Sequence, residues 1–217
     1  IELNPRASRP VPFSSKATGV SLAKYASRIM AGEKISELRA QGLLPDENRT
    51  VDYYAVKEAV MPWSRFPGAD SILGPEMKST GEVMGIARTF PAAYSKTREA
   101  VENKLPEQGS VFISVCDRDK RAIAPVAMAL ENLGYGIYTT GGTAKTLRAA
   151  GIDCTTVNRI SDGHPNVVDL MRDKTVSFII NTPHGHEAHS DGTKMRAEAV
   201  SQGITCVTAM SAATALI

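Results

Sequence analysis

The feature that most constrains the fold is a regular alternation of short apolar runs and helical patterns across residues 110 to 210. "SVFISV" (110–115) is a continuous apolar run of strand length, the kind found where a strand is covered on both faces. Residues 121–133 then place Ile123, Val126, Ala127, Leu130 and Leu133 on one helical face, with Pro125 read in the first turn, where its missing N–H is tolerated. "GYGIYTT" (134–140) reads as a strand, 143–150 as a short helix closing at Gly151, 153–158 as a strand and 166–172 as a brief helix. "TVSFIIN" (175–181), a helix over about 190–202 and "ITCVTAM" (204–210) complete the series. Strands separated by helices at this spacing must pair in parallel and bury both faces. The expected fold class is therefore α/β, with a doubly wound parallel sheet in this region.

The first half is less regular. An opening strand is followed by "GVSLAKYASRIMAGE", whose Val20, Leu22, Ala23, Ala26, Ile29 and Met30 have helical spacing up to Gly32. "DYYAVKEAVMPW" alternates as a strand, and "RFPGADSILGPEMKSTGEVMG" is a Gly/Pro-rich excursion full of turn residues. The polar stretch "TREAVENKLPEQGS" (97–110) marks a seam, which divides the chain into a first domain over 1–95, a linker over 96–109 and a second domain over 110–217. The first portion has too few elements for a core of its own and reads as the tail of something larger, with the chain expected to be truncated at both ends.

Bulk composition removes some classes of function. The 25 basic and 23 acidic residues nearly cancel, so no global field favours nucleic acid or an anionic membrane. No apolar run reaches the ~18 residues that span a bilayer, and cytoplasmic is the expected compartment. Cys116, Cys154 and Cys206 are far apart in apolar contexts, which suits reduced core thiols.

Two groups of residues carry chemistry. At the start, Glu2 and Asn4 share a strand face, where a carboxylate and an amide oxygen could converge on a hard cation, and Arg6 and Arg9 offer planar donors to phosphate. The same spacing also suits a strand end with scattered surface charges. In "YTTGGTAKTL" (138–147) a strand runs into two glycines, and Thr143 is read as the cap of a helix that starts at Ala144. Free N–H groups and the positive dipole end make such a turn an anion site, although it can equally be a plain connection. Lys120, Arg159, Asn181 and Thr182 each follow a predicted strand, beyond the carboxyl ends where open α/β sheets take their ligands. His184, His186 and His189 lie close together but have no cysteine near them, and they read as loop histidines before metal ligands. Glu58 reads as a solvated strand carboxylate.

These stretches resemble a known family. "IELNPRASRPVPFSSKATGVSLAKYASRIMAG" and "YYAVKEAVMPWSRFPGADSILGPEMKSTGEVMG" are similar to the end of the second ATP-grasp unit of carbamoyl phosphate synthetase large subunits. Residues 110–217 resemble the methylglyoxal-synthase-like regulatory domain that closes the same subunits. The resemblance implies a ligase that makes carbamoyl phosphate from bicarbonate, glutamine-derived ammonia and two ATP for pyrimidine and arginine biosynthesis. It implies that Glu2 and Asn4 are ligands of Mg²⁺ or Mn²⁺, that Arg6 and Arg9 serve the phosphates of the carbamate-phosphorylating site, and that Glu58 matches an acidic residue able to contact an amino-acid activator. It further implies that Lys120, Thr140, Thr143, Arg159, Asn181 and Thr182 line an allosteric pocket for a nucleotide such as UMP or IMP. A glutaminase small subunit would be the protein partner, and an oligomer is expected.

The sequence departs from the family in three places. Arg159 stands where a lysine is found, Pro183 where a threonine is found, and His164 near the position of the catalytic aspartate of true methylglyoxal synthases. The last change argues against lyase chemistry, because proton abstraction needs a placed carboxylate. On this reading the remaining ATP-grasp parts lie upstream of Ile1, and the chain alone is expected to be inactive. A nucleotide-binding regulatory module without catalysis, or a methylglyoxal-synthase-like lyase, are the alternatives.

Overall fold

The computed structural model describes residues 10–45, 50–65, 79–101, 105–182 and 191–217. Chain contacts divide it into two compact units, one of residues 1–58 and 83–97 and one of 59–82 and 98–217.

The first unit holds three short helices, α1 (Pro10–Thr18), α2 (Leu22–Met30) and α3 (Ile35–Ala40). Strands β1 (Tyr54–Val60) and β2 (Gly81–Ala87) pair in a two-stranded sheet, followed by helix α4 (Phe90–Ala100). The α2 pattern ends as its sequence indicates, with Gly32 at φ 105°, a left-handed conformation that a side chain resists. Helices α1 and α3 had no counterpart in the sequence reading. Pro10 is the first described residue of α1, and in a first turn its missing N–H would have had no intrahelical partner.

The Gly/Pro-rich excursion is corrected at its end, since "GEVMG" belongs to β2 and not to a loop. Its glycine has a packing reason: a Cβ on Gly85 would lie 2.1 Å from the Ala93 carbonyl oxygen, so α4 sits directly on the strand backbone. The side chain of Glu58 is likewise more than a solvated carboxylate, because it accepts a 2.8 Å hydrogen bond from the hydroxyl of buried Thr97 on α4.

The second unit is built on five parallel strands: β3 (Ser110–Ser114), β4 (Gly136–Thr140), β5 (Thr155–Val157), β6 (Phe178–Asn181) and β7 (Thr205–Val207). Their order across the sheet is β5-β4-β3-β6-β7. Helices α5 (Lys120–Asn132), α6 (Gly141–Ala149) and α9 (Met210–Ala215) supply residues to one core, and α7 (Val167–Arg172) and α8 (Asp191–Ser201) to the other.

Strand periodicity explains the split. Val111, Ile113, Phe178 and Ile180 face the first core and Phe112 and Ile179 the second, so adjacent residues alternate between two buried faces. Each such side chain contributes about 1.5–3 kcal/mol on burial, which makes β3 and β6 the most heavily buried strands. This is the doubly wound α/β architecture expected.

Three local readings change. Pro125 is the sixth residue of α5 and lies past its first turn, where it withholds the N–H that would bond to the Arg121 carbonyl. Helix α6 starts at Gly141, with Thr140 in extended conformation at the N-cap, so Thr143 is a residue of the first turn and not the cap. Residues 210–215, read as the end of a strand and an apolar run, form α9, whose Ala213 closes the first core.

Candidate functional site

All five strands point the same way, so their carboxyl ends form one rim. The chain leaves β3 toward β4 and β5 on one side and returns to the other side as β6. That reversal opens a crevice between the ends of β3 and β6, where ligands of such sheets bind.

Two side chains at the end of β6 cross the crevice. Asn181 lies in register with Ser114 and donates from Nδ2 to the Ser114 carbonyl at 2.9 Å. The Thr182 hydroxyl accepts the Cys116 backbone N–H at 3.1 Å. The loop after β3 is tightened further by the Cys116 thiol, which donates to the Asp119 carboxylate at 3.1 Å. Hydrogen bonds from the Cys116 thiol and then the Thr182 hydroxyl hold the Asp119 carboxyl below the usual carboxylate range, against the opposing effect of desolvation. Asp119 therefore stays ionised at the head of α5, immediately before Lys120.

Lys120 stands over the next turn. Its ammonium lies 3.5 Å from where a Cβ of Gly142 would be, above the first turn of α6. The Thr140 side chain makes no capping bond, so the N–H groups of that turn face outward beside a cation. The ammonium also pairs with the exposed Asp117 carboxylate at 2.6 Å. Thr143 turns inward: it is 2% exposed and its hydroxyl accepts the Val115 N–H at 3.4 Å.

The six residues expected to line a nucleotide pocket thus fall into two groups. Lys120, Thr140 and Arg159 lie at the accessible rim, Arg159 being exposed beyond β5 with its guanidinium unpartnered among the described residues. Thr143, Asn181 and Thr182 are buried and tie the loops together. Glu2, Asn4, Arg6 and Arg9, expected to hold the metal and phosphates, lie outside the described residues, as do His184, His186, His189 and Pro183. Among the described residues no cluster of three or more His, Cys, Asp or Glu side chains could hold a metal ion. No helix among them is long and apolar enough to cross a membrane.

His164 pairs through Nδ1 with Asp169 at 2.7 Å, and Asp169 also accepts the Asn166 N–H as half of a capping box on α7. The His164 bond first, and the backbone bond second, push the Asp169 carboxyl below its ordinary value. A carboxylate so stabilised is a poor general base. Of the cysteines, Cys116 and Cys154 are buried and all three are free thiols, with burial pushing Cys154 up so that it stays protonated.

One buried cation at the end of β6 was missed in the sequence. Arg196, on α8, is 4% exposed and donates to Asn181 Oδ1 at 2.7 Å. It stands beside Met195 and three residues before Ala199, both buried, so the signal was a cation on the apolar stripe of a helix.

Comparison with known proteins gives two family matches. "MGS-like domain" covers residues 122–208, and "Carbamoyl-phosphate synthase L chain, ATP binding domain" covers residues 1–38. The carbamoyl phosphate synthase large chain of Acidobacterium capsulatum is 48% identical over 99% of this chain and 20% of its own length. The protein named carbamoyl phosphate synthase large chain, C-terminal section, of Methanopyrus kandleri is 48% identical over the whole chain and 40% of its own length. The chain therefore spans about a fifth of the full-length relative. A solved methylglyoxal synthase from Elizabethkingia anophelis matches 51% of this chain and 77% of its own, at 16% identity and a TM-score of 0.44, a likeness too slight to bear on function.

Proposed function

We propose, on the premise that this chain belongs to the carbamoyl phosphate synthase large-chain family, that it is a nucleotide-responsive regulatory part of such a ligase joined to one wall of its carbamate-phosphorylating site. The observation that carries the regulatory reading is the Lys120 ammonium 3.5 Å from the Gly142 Cβ position, over an uncapped helix N-terminus. A phosphate seated there would meet backbone N–H donors, a helix dipole and a cation together.

The width of the rim supports a ligand larger than phosphate. From β6 to β5 is three strand intervals, about 14 Å at ~4.8 Å each, with Arg159 beyond the far end. A nucleoside monophosphate such as UMP or IMP fits that reach. We assign it to Lys120, Thr140 and Arg159 by direct contact, and to Thr143, Asn181 and Thr182 through the loops they hold. The division into a first domain over 1–95, a linker over 96–109 and a regulatory domain over 110–217 is part of this proposal.

Glu2 and Asn4 are proposed to hold Mg²⁺ or Mn²⁺, since a carboxylate and an amide oxygen form a hard donor set suited to either ion. That ion would supply charge neutralisation for ATP phosphates, and Arg6 and Arg9 would bind their oxygens. In the whole large chain the reaction makes carbamoyl phosphate from bicarbonate, ammonia delivered by a glutaminase small subunit and two ATP, for pyrimidine and arginine synthesis in the cytoplasm. Alone, this chain is proposed to be inactive as a ligase. The lyase alternative is disfavoured by His164 and by the depressed Asp169 carboxyl.

Calorimetric titration of the 217-residue chain with UMP and with IMP tests the reading. Saturable binding of either supports it, and absence of heat at millimolar nucleotide defeats it. Release of phosphate from dihydroxyacetone phosphate would restore the lyase.

A further inference from the structure

Asp119 ends the short 3₁₀ turn Asp117–Asp119 and is the residue from which α5 starts. An aspartate in that place ordinarily takes an extended backbone and accepts an N–H from the first turn of its own helix. Asp119 does neither: its backbone is helical, at φ −95° and ψ −6°, and its side chain makes no capping bond. The carboxylate turns back instead and takes the Cys116 thiol at 3.1 Å. The Thr182 hydroxyl, just past β6, bonds to it as well.

Followed proton by proton, these groups close a ring. The Cys116 N–H donates to the Thr182 oxygen at 3.1 Å, which leaves the Thr182 hydroxyl proton free to point at Asp119, while the Cys116 thiol supplies the second donor. The Thr182 oxygen also lies 3.5 Å from the Cys116 sulfur, but a thiol sulfur is a weak acceptor beside a carboxylate. Two donors converge on one group, and an ionised carboxylate only accepts. An amide in its place would offer one oxygen and one NH₂, and the NH₂ would face a donor.

Electrostatics alone would not put a carboxylate here. The next residue is Lys120, whose ammonium stands over the first turn of α6, and a negative charge beside an anion site opposes the anion. The Asp119 side chain is 17% exposed, so water screens it little, and Arg118 Nε, 3.6 Å from Oδ1, belongs to a largely exposed side chain. The ring supplies the reason for the charge, since it ties the end of β6 to the residue before Lys120.

We propose that Asp119 is a positioning residue for nucleotide binding: by gathering the Cys116 thiol and the Thr182 hydroxyl it fixes the start of α5 against the end of β6, and so aims Lys120 at the first turn of α6. The proposal rests on the nucleotide reading of this rim. Asp119 itself would make no contact with the ligand.

The two roles open to this charge have opposite signs. If Asp119 acted on the ligand only as a charge, Asp119→Asn would tighten UMP or IMP about two- to fivefold, because a repulsion is removed. A positioning residue gives the reverse: Asp119→Asn should weaken binding about five- to tenfold, since one of two charge-assisted hydrogen bonds is lost and the loop loosens. Calorimetry on the 217-residue chain at about 50 mM and about 300 mM KCl measures this, with near-UV circular dichroism confirming native packing. The loss should persist at the higher salt, where a pure charge effect fades. Cys116→Ala deletes one donor without touching the charge and should weaken binding about threefold or more, whereas Cys116→Ser restores an O–H donor and should return to within about twofold of the parent. Affinity in folded Asp119→Asn equal to or above that of the parent overturns the proposal, as does equal affinity in Cys116→Ala and Cys116→Ser. If Asp119→Asn fails to fold, the Cys116 pair decides.

A second readout needs no ligand. In ¹³C-labelled protein the Asp119 carboxyl signal, identified by its loss in Asp119→Asn, should titrate below the ordinary carboxylate range and move up toward it in Cys116→Ala, because the thiol is the first of its stabilising partners. Identical titration in Cys116→Ala and the parent overturns the positioning role. A parent chain that binds neither UMP nor IMP defeats the nucleotide reading and this proposal with it, while a parent that binds and an Asp119→Asn variant that binds no less tightly defeat this proposal alone.

Discussion

Replacing Lys120 by methionine keeps the length and apolar stem of the side chain and deletes the ammonium above Gly142. Two unit charges ~4 Å apart attract by about 1 kcal/mol in water and about 4 kcal/mol at the effective dielectric of a protein surface. The Lys120 side chain is 28% exposed, between those limits, and it is already partly neutralised by Asp117 at 2.6 Å. A loss of ~1.4–2 kcal/mol follows, or about ten- to thirty-fold in the dissociation constant of UMP or IMP. The assay is calorimetry at about 50 mM and about 300 mM KCl, because a charge at a partly solvated site is screened. Lys120→Met should lose most affinity at low salt and show a shallower salt dependence than the parent. Asp117→Asn should act in the opposite direction, freeing the ammonium and tightening binding about two- to five-fold at low salt while leaving folding nearly unchanged, since exposed ion pairs contribute only about 0–1 kcal/mol. Equal affinity and equal salt dependence in Lys120→Met and the parent would refute the reasoning, because the ammonium would then meet no phosphate of the bound nucleotide.

Thr182→Val removes the hydroxyl that accepts the buried Cys116 N–H and should destabilise the second unit by about 1–3 kcal/mol, read as a lower denaturant midpoint at unchanged slope. Asp169 has a folded pKa below its ordinary value, so its stabilising effect is complete above about pH 4 and drains away as pH falls through the lowered value. Asp169→Asn should accordingly melt below the parent at pH 6, with the gap closing in acid; a gap that persists at pH 2 would contradict this. Gly85→Ala places a Cβ 2.1 Å from the Ala93 carbonyl oxygen and should cost about 3 kcal/mol in the first unit, detectable by thermal unfolding with unchanged nucleotide affinity.

The second unit is legible in the sequence where the physical signal is local and repeated. A strand buried on both faces needs an unbroken apolar run, and "VFI" and "FII" are such runs; the helices between them announce themselves by period. Glycine was the less reliable sign. Gly141 and Gly142 read as a turn before a helix, yet both are helical, because an uncapped N-terminus tolerates them and Thr140 already supplies the extended residue at the cap. Gly85 read as a loop residue for the same reason and is in fact a strand residue beneath a helix.

Sequence alone determined that this chain contains a parallel α/β sheet and which loops gather at its carboxyl rim, since both follow from hydrophobic period and from the order of elements. It could not assign the inward and outward halves of the candidate site. Whether a threonine offers its hydroxyl to a ligand or to a neighbouring backbone N–H depends on which strand lies beside it, and β6 comes to lie beside β3 only when the chain doubles back across the sheet. The same pairing sets Asn181 where Arg196 of α8 donates to its Oδ1 at 2.7 Å, a contact between distant elements that no local pattern announces.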